Sequence, residues 1–153
     1  MHPFPHHYTV IADGNTDGAT VTHAEGLPPL PVASPREFGG PGNLWSPETL
    51  LCAAVADCFI LTFRSVAQAM HLPWVRLECD VTGTLERVER VTLFTQFDIH
   101  ARLGVPADND AAHRALEKAH QACLIANSLK ARMDLQAEIY VTDQTTSASE
   151  AVR

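Results

Sequence analysis

Four cysteines, Cys52, Cys58, Cys79 and Cys123, are the side chains of this chain best suited to covalent redox chemistry. A cysteine reacts as its thiolate and can be oxidised through a sulfenic acid to a disulfide. No Cys-x-x-Cys pair and no zinc-ribbon spacing occurs among the four. Each one can equally be a small buried hydrophobe, and spacing alone does not separate them. His113, His120 and Cys123 lie at intervals that could share a helix face, but no third histidine is near in sequence, so no metal site is read there. His100 reads as an ordinary polar residue.

The elements that must position these thiols are legible from period and punctuation. Tyr8 to Ala12 and Thr20 to Ala24 read as two strands. Asp13-Gly14-Asn15 and Asp17-Gly18 are turn signals between them, giving an N-terminal hairpin. Residues 26–46, with Pro28, Pro29, Pro31, Pro35, Pro41 and the run Gly39-Gly40-Pro41-Gly42, read as a long irregular loop. Ser46 is then a helix N-cap, Pro47 suits the first helical position and Glu48 complements the first turn. This helix runs to about Ala69 and is apolar nearly all round, so it reads as a core helix wrapped by protein. Its apolar run, Leu50 to Phe63, reads as too short for a membrane span and carries Asp57. Cys52 and Cys58 lie on opposite sides of it. Asp57 reads as its exposed edge and Arg64 as a solvated helix-end cation.

Val75, Leu77, Cys79 and Val81 alternate with polar residues, which predicts a half-buried strand with Cys79 facing the core. Val91 to Ile99 predicts its neighbour. A helix over about 109–121, a break at Cys123, a short helix over 124–131 and a strand from Leu135 to Val141 complete the pattern. The order is ββ–α–ββ–α–β, an α+β fold with an antiparallel sheet and helices on one side. The chain reads as one domain over 1–153. Within it, 1–46 hold the hairpin and Pro/Gly-rich loop, 47–142 the helix–strand core, and 143–153 a disordered tail.

The 153 residues suffice for a core without disulfide staples. A net charge of −7 with no Lys/Arg cluster argues against nucleic acid or an anionic membrane surface as partner. Met1 to His7 has neither the basic nor the apolar region of a secretory signal, so the expected location is the cytoplasm with reduced thiols.

The segment Ser46-Pro47-Glu48-Thr49-Leu50-Leu51-Cys52-Ala53-Ala54-Val55-Ala56-Asp57-Cys58-Phe59 resembles the signature helix of the OsmC/Ohr family of peroxidases. Glu37-Phe38-Gly39-Gly40-Pro41-Gly42 and Trp45 resemble one general OsmC-like branch. Ala122-Cys123-Leu124-Ile125-Ala126-Asn127-Ser128-Leu129 is similar to the segment holding the second family cysteine, although Leu124 stands where the family usually has proline. The likeness spans about residues 36–141.

The resemblance implies a thiol peroxidase acting on organic hydroperoxides, with no cofactor and no metal. Cys58 would be the nucleophile, Cys123 would form a disulfide with it, and a dithiol reductant of the lipoyl type would reset the pair. An arginine from the early loop, held by the glutamate matching Glu48, would favour the thiolate. Arg36 is the only arginine before Arg64. Ten residues of helix amount to roughly 15 Å of rise and about 280° of rotation, so Glu48 cannot touch Cys58 on the same helix. That geometry and the apolar helix favour an intertwined homodimer, which is also the arrangement the resemblance implies. Leu44, Trp45, Phe59 and Phe63 would suit an apolar substrate tail. Two other readings stay open: a non-catalytic ligand-binding or redox-sensing protein, and a disulfide exchanger, which the lack of Cys-x-x-Cys counts against.

Overall fold

The computed structural model describes residues 3–107 and 110–142. The expected tail from Asp143 lies outside them. The chain forms two compact units, Met1–Leu50 and Leu51–Arg153. The boundary falls four residues inside the long helix that the sequence reading assigned wholly to 47–142.

In the first unit, β1 (Ile11–Asp13), β2 (Thr20–His23) and β3 (Leu30–Val32) form an antiparallel sheet in that order. The expected hairpin is its first pair, with Ile11 opposite His23. The third strand corrects the reading of 26–46 as irregular. Its Pro31 has no N–H to give a ladder, yet it pairs with Val21 because β3 is an edge. Val32 is buried, and its carbonyl accepts from Thr20 Oγ1 at 3.2 Å. A 3-10 turn follows at Arg36–Phe38, closed by Gly39 at φ 80°. Only glycine adopts that angle without cost.

Ser46 starts α1 (Pro47–Ala69) with a reciprocal cap. Thr49 N donates to Ser46 Oγ at 3.2 Å, and Ser46 N donates to Thr49 Oγ1 at 2.9 Å. Two orphan amides of the first turn are thereby satisfied.

In the second unit, α1 packs Val55, Phe59, Phe63 and Ala67 onto a three-stranded sheet. The strands are β4 (Arg76–Val88), β5 (Val91–Val105) and β6 (Arg132–Val141), in that order. Phe97, Ile99, Ala101, Leu103 and Val105 supply the sheet's share of the core, period two along the central strand. Ala112, Ala115, Leu116 and Ala119 of α2 (Asp110–Ala122) complete it. The other face is polar, with Arg102 between Glu78 and Glu138 at 3.8 and 3.4 Å.

β4 and β5 pair antiparallel as expected. β6 does not follow that expectation: it runs parallel to β5, with Ile99 opposite Leu135. α2 and α3 (Leu124–Ser128) form the crossover that parallel pairing requires. β4 and β5 also run longer than expected, joined by Glu89 and Arg90 at φ 49° and 71°. Two positive φ angles define the mirror-image turn that fits strand twist. The apolar Val88, Val91 and Leu93 near this turn are exposed.

The long helix departs from expectation in its burial. At 23 residues it reaches the length and apolarity of a membrane span, yet only 22% of its most apolar window is buried within the chain. The four buried residues fall four apart, so they form one stripe on the sheet. Leu61 on another face is 57% exposed, and Asp57 and Arg64 are exposed too.

Candidate functional site

Cys58 and Cys123 meet in the second unit. Cys58 is half-buried on α1, beside the stripe that carries Phe59. Cys123 sits in the break between α2 and α3, where the chain leaves helical geometry at φ −66° and ψ 107°. The sequence placed that break correctly. Its carbonyl accepts from Asn127 N at 2.9 Å, and Asn127 Nδ2 donates to Gln121 O at 2.9 Å, so the kink is tied on both sides. The Cys123 side chain is fully buried and neighbours the Cys58 thiol. Thr62, one turn beyond Cys58, has its hydroxyl 3.9 Å from Cys58 Sγ.

Burial pushes the Cys123 thiol above its ordinary range, and the neighbouring Cys58 adds to the rise. Backbone N–H groups of Ala126 and Ile125 pull the other way. Cys123 is therefore held as a neutral thiol at neutral pH, ready to lose its proton only when its sulfur is engaged.

Burial raises the other two thiols as well. Cys79 is pushed up to about 12, first by burial and then by the charge of Asp80, with Cys123 once ionised and Asp57 adding to the rise. It sits against the core, as the strand alternation predicts. Burial also raises Cys52, against a hydrogen bond from the Gly83 backbone. Gly83 leaves room there: a Cβ would press on Phe94, Phe97 and the Cys52 sulfur.

Beside Cys58 opens a groove of about 510 Å³, lined by Ala54, Asp57, Cys58, Leu61, Thr62, Ser65, Leu124 and Ile125. Sequence reasoning missed Leu61, Leu124 and Ile125, and instead put Phe59 and Phe63 in contact with substrate. Both phenylalanines are fully buried in the core. The missing signal was which side of α1 packs on the sheet; once Phe59 and Phe63 define it, Cys58, Leu61 and Thr62 must face elsewhere. Among the described residues, no cation lines the groove.

Arg36 and Glu48 belong to the first unit. Arg36 is exposed and lies across Gly42, where no Cβ would fit beneath its guanidinium arm. Glu48 is half-buried, and its Oε2 is buried without a hydrogen-bond partner among the described residues. Such an oxygen normally has a donor. His113, His120 and Cys123 do not gather, and no cluster of three metal-ligating side chains occurs among the described residues.

The OsmC-like protein family matches residues 40–138, and the chain belongs to it. An uncharacterized protein of Bacillus subtilis, YmaD, is 28% identical over 117 residues, covering 72% of this chain and 77% of its own length. Among solved structures, an OsmC-like protein of unknown function from Vibrio cholerae superposes with a TM-score of 0.79 at 15% identity, over 87% of this chain and 99% of that one. An organic hydroperoxide resistance protein of Legionella pneumophila superposes with a TM-score of 0.70 at 25% identity, over 91% and 100%.

Proposed function

We propose that the chain is a cysteine-based peroxidase that reduces organic hydroperoxides to alcohols. The observation that carries this reading is that Cys58, which lines an open, largely apolar groove, has the buried Cys123 thiol as its neighbour. The Cys58 thiolate attacks the distal peroxide oxygen. The O–O bond breaks, the sulfur becomes a sulfenic acid, and the alkoxide takes a proton to leave as alcohol. The Cys123 sulfur then attacks the sulfenic sulfur, water leaves, and a disulfide forms. A small dithiol of the lipoyl type reduces this disulfide by two exchanges and departs as its own cyclic disulfide.

Two parts of the reading concern groups outside the groove. Arg36, held by Glu48, supplies the positive charge that favours the Cys58 thiolate. A homodimer covers the open side of α1 and brings the Glu48–Arg36 pair of one copy to the thiols of the other. The partnerless Oε2 of Glu48 is an acceptor that a guanidinium would satisfy.

The test is consumption of cumene hydroperoxide with dihydrolipoamide, in wild type, Cys58→Ser and Cys123→Ser. Wild-type turnover lost in both variants is expected. A wild type that consumes no hydroperoxide overturns the reading. It favours instead a non-catalytic, redox-sensing protein, for which the lack of a cation in the groove speaks.

A further inference from the structure

Side chains on a helix tilt toward its N-terminus, so a residue covers the turn before its own. Thr62 on α1 thereby projects over Cys58, and its hydroxyl lies 3.9 Å from the Cys58 sulfur. A hydroxyl in a helix has a nearer partner, the carbonyl one turn back. Ser65 takes that partner on the same helix, donating to Leu61 O at 3.3 Å, and Ser128 on α3 donates to Leu124 O at 2.7 Å. Thr62 departs from this pattern and turns its hydroxyl to the sulfur. The branch at its Cβ limits the hydroxyl to a few directions, so the helix sets this one.

We propose that Thr62 donates its hydroxyl hydrogen to the ionised Cys58 sulfur and so favours the reacting form. The proposal rests on Cys58 being the reacting group of the proposed peroxidase. While Cys58 is a thiol, either group can donate to the other. Once the proton leaves the sulfur, only the hydroxyl can donate. Thr62 keeps its own proton while the sulfur attacks.

The other groups near the sulfur leave this part open. Asp57, before Cys58 on α1, is an anion, and Leu124 and Ile125 of α3 are apolar. Cys123 at the α2–α3 break and Cys79 on β4 are raised thiols, neutral at neutral pH. Arg36 and Glu48 are assigned to the site from a second copy. Thr62 acts from the helix that carries the sulfur, so its contribution is separate from theirs and present in each copy by itself.

Iodoacetamide reads this without any peroxidase activity, being small, neutral and able to follow a hydroperoxide to the sulfur. The Cys58 thiolate attacks its methylene carbon, a C–S bond forms and iodide leaves. Peptide mass separates Cys58 from the other three cysteines across a pH series. In Thr62→Val the thiolate fraction on the acid side is expected to fall by about three- to tenfold. A thiolate without its donor is also more nucleophilic, so the two profiles cross. Thr62→Val alkylates about two- to threefold slower on the acid side and about two- to threefold faster on the alkaline plateau. Thr62→Ser is expected to fall between Thr62→Val and wild type. Superimposable profiles, one lowered by the same factor at every pH, or a Thr62→Ser no different from Thr62→Val would each overturn the proposal. Should Thr62→Val not fold, Thr62→Ala carries the same test, since alanine suits any helix position.

A second arm follows cumene hydroperoxide with dihydrolipoamide. Slower consumption by Thr62→Val on the acid side, with the crossing in alkylation, supports the proposal. Wild-type consumption without the crossing overturns it and leaves the peroxidase standing. The crossing without any hydroperoxide consumption removes the peroxidase and leaves Thr62 as the donor to Cys58.

Discussion

The thiol of Cys123 neighbours the thiol of Cys58, one held at a break between helices and the other inside a long helix. The break matters to this placement. A continuous helix through residue 123 would aim its side chain along the face of α2, whereas the extended ψ at Cys123 redirects the chain there.

Mild peroxide treatment is expected to remove two hydrogens per chain, by joining Cys58 to Cys123. Cys79 stays reduced because its thiol is held protonated to about 12, and Cys52 because burial raises it as well. Peptide mapping after blocking free thiols checks this. A disulfide that includes Cys52 or Cys79 counts against the assignment. In Cys123→Ser, a dimedone adduct is expected at Cys58.

Cys79 also gives stability a slope at alkaline pH. The fold favours its neutral form, so the folded protein keeps a proton that the unfolded chain releases from about pH 9 upward. This site's contribution is intact below about pH 9 and is lost as pH rises toward 12, by at most about 1.4 kcal/mol per pH unit. Urea unfolding under reducing conditions is expected to show a shallower alkaline decline for Cys79→Val than for wild type. Parallel declines would remove Cys79 as the cause.

Ser46→Ala is expected to cost about 1 kcal/mol, since the buried Ser46 hydroxyl caps Thr49 N at the start of α1. Denaturant midpoints at unchanged slope check this, and a change below about 0.3 kcal/mol would mean the cap carries little.

Gly83→Ala tests packing under the β4–β5 ribbon. The new methyl meets the Phe94 and Phe97 rings and the Cys52 sulfur, at a cost of about 1–3 kcal/mol. The Cys58–Cys123 disulfide should still form on oxidation. A variant as stable as wild type would show that the ribbon shifts freely.

The homodimer is expected to appear in sedimentation as twice the 16.7 kDa chain mass. A monomer at micromolar concentration would remove the proposed source of the Glu48–Arg36 pair.

Local chemistry carried most of what was legible. The Ser46-Pro47-Glu48 start, the break at Cys123 and the alternation around Cys79 each signal themselves within a few residues. What was not legible depends on partners. β3 hides behind Pro31, which is tolerated because β3 is the last strand of its sheet, with only a single bridge from Val32 to Trp45 beyond it. β6 carries no mark of its direction; the helical crossover decides that. The residues of β4 and β5 near the turn do not alternate cleanly because they extend past the core that would impose a pattern. α1 is apolar on several faces, and composition does not say which face meets its own sheet. That choice set Phe59 inward and Leu61 outward, and with it the groove.

The unequal burial of the two site thiols gives the pair a front and a back. Cys58 is open to the groove and Cys123 is sealed. Traffic with the outside therefore passes through one sulfur. In the proposed cycle an incoming thiol would reach a Cys58–Cys123 bridge from the Cys58 side, so the first mixed disulfide would form there with Cys123 as the leaving group. Electrons would then enter where the oxygen atom did, and the inner cysteine would never have to meet the solvent.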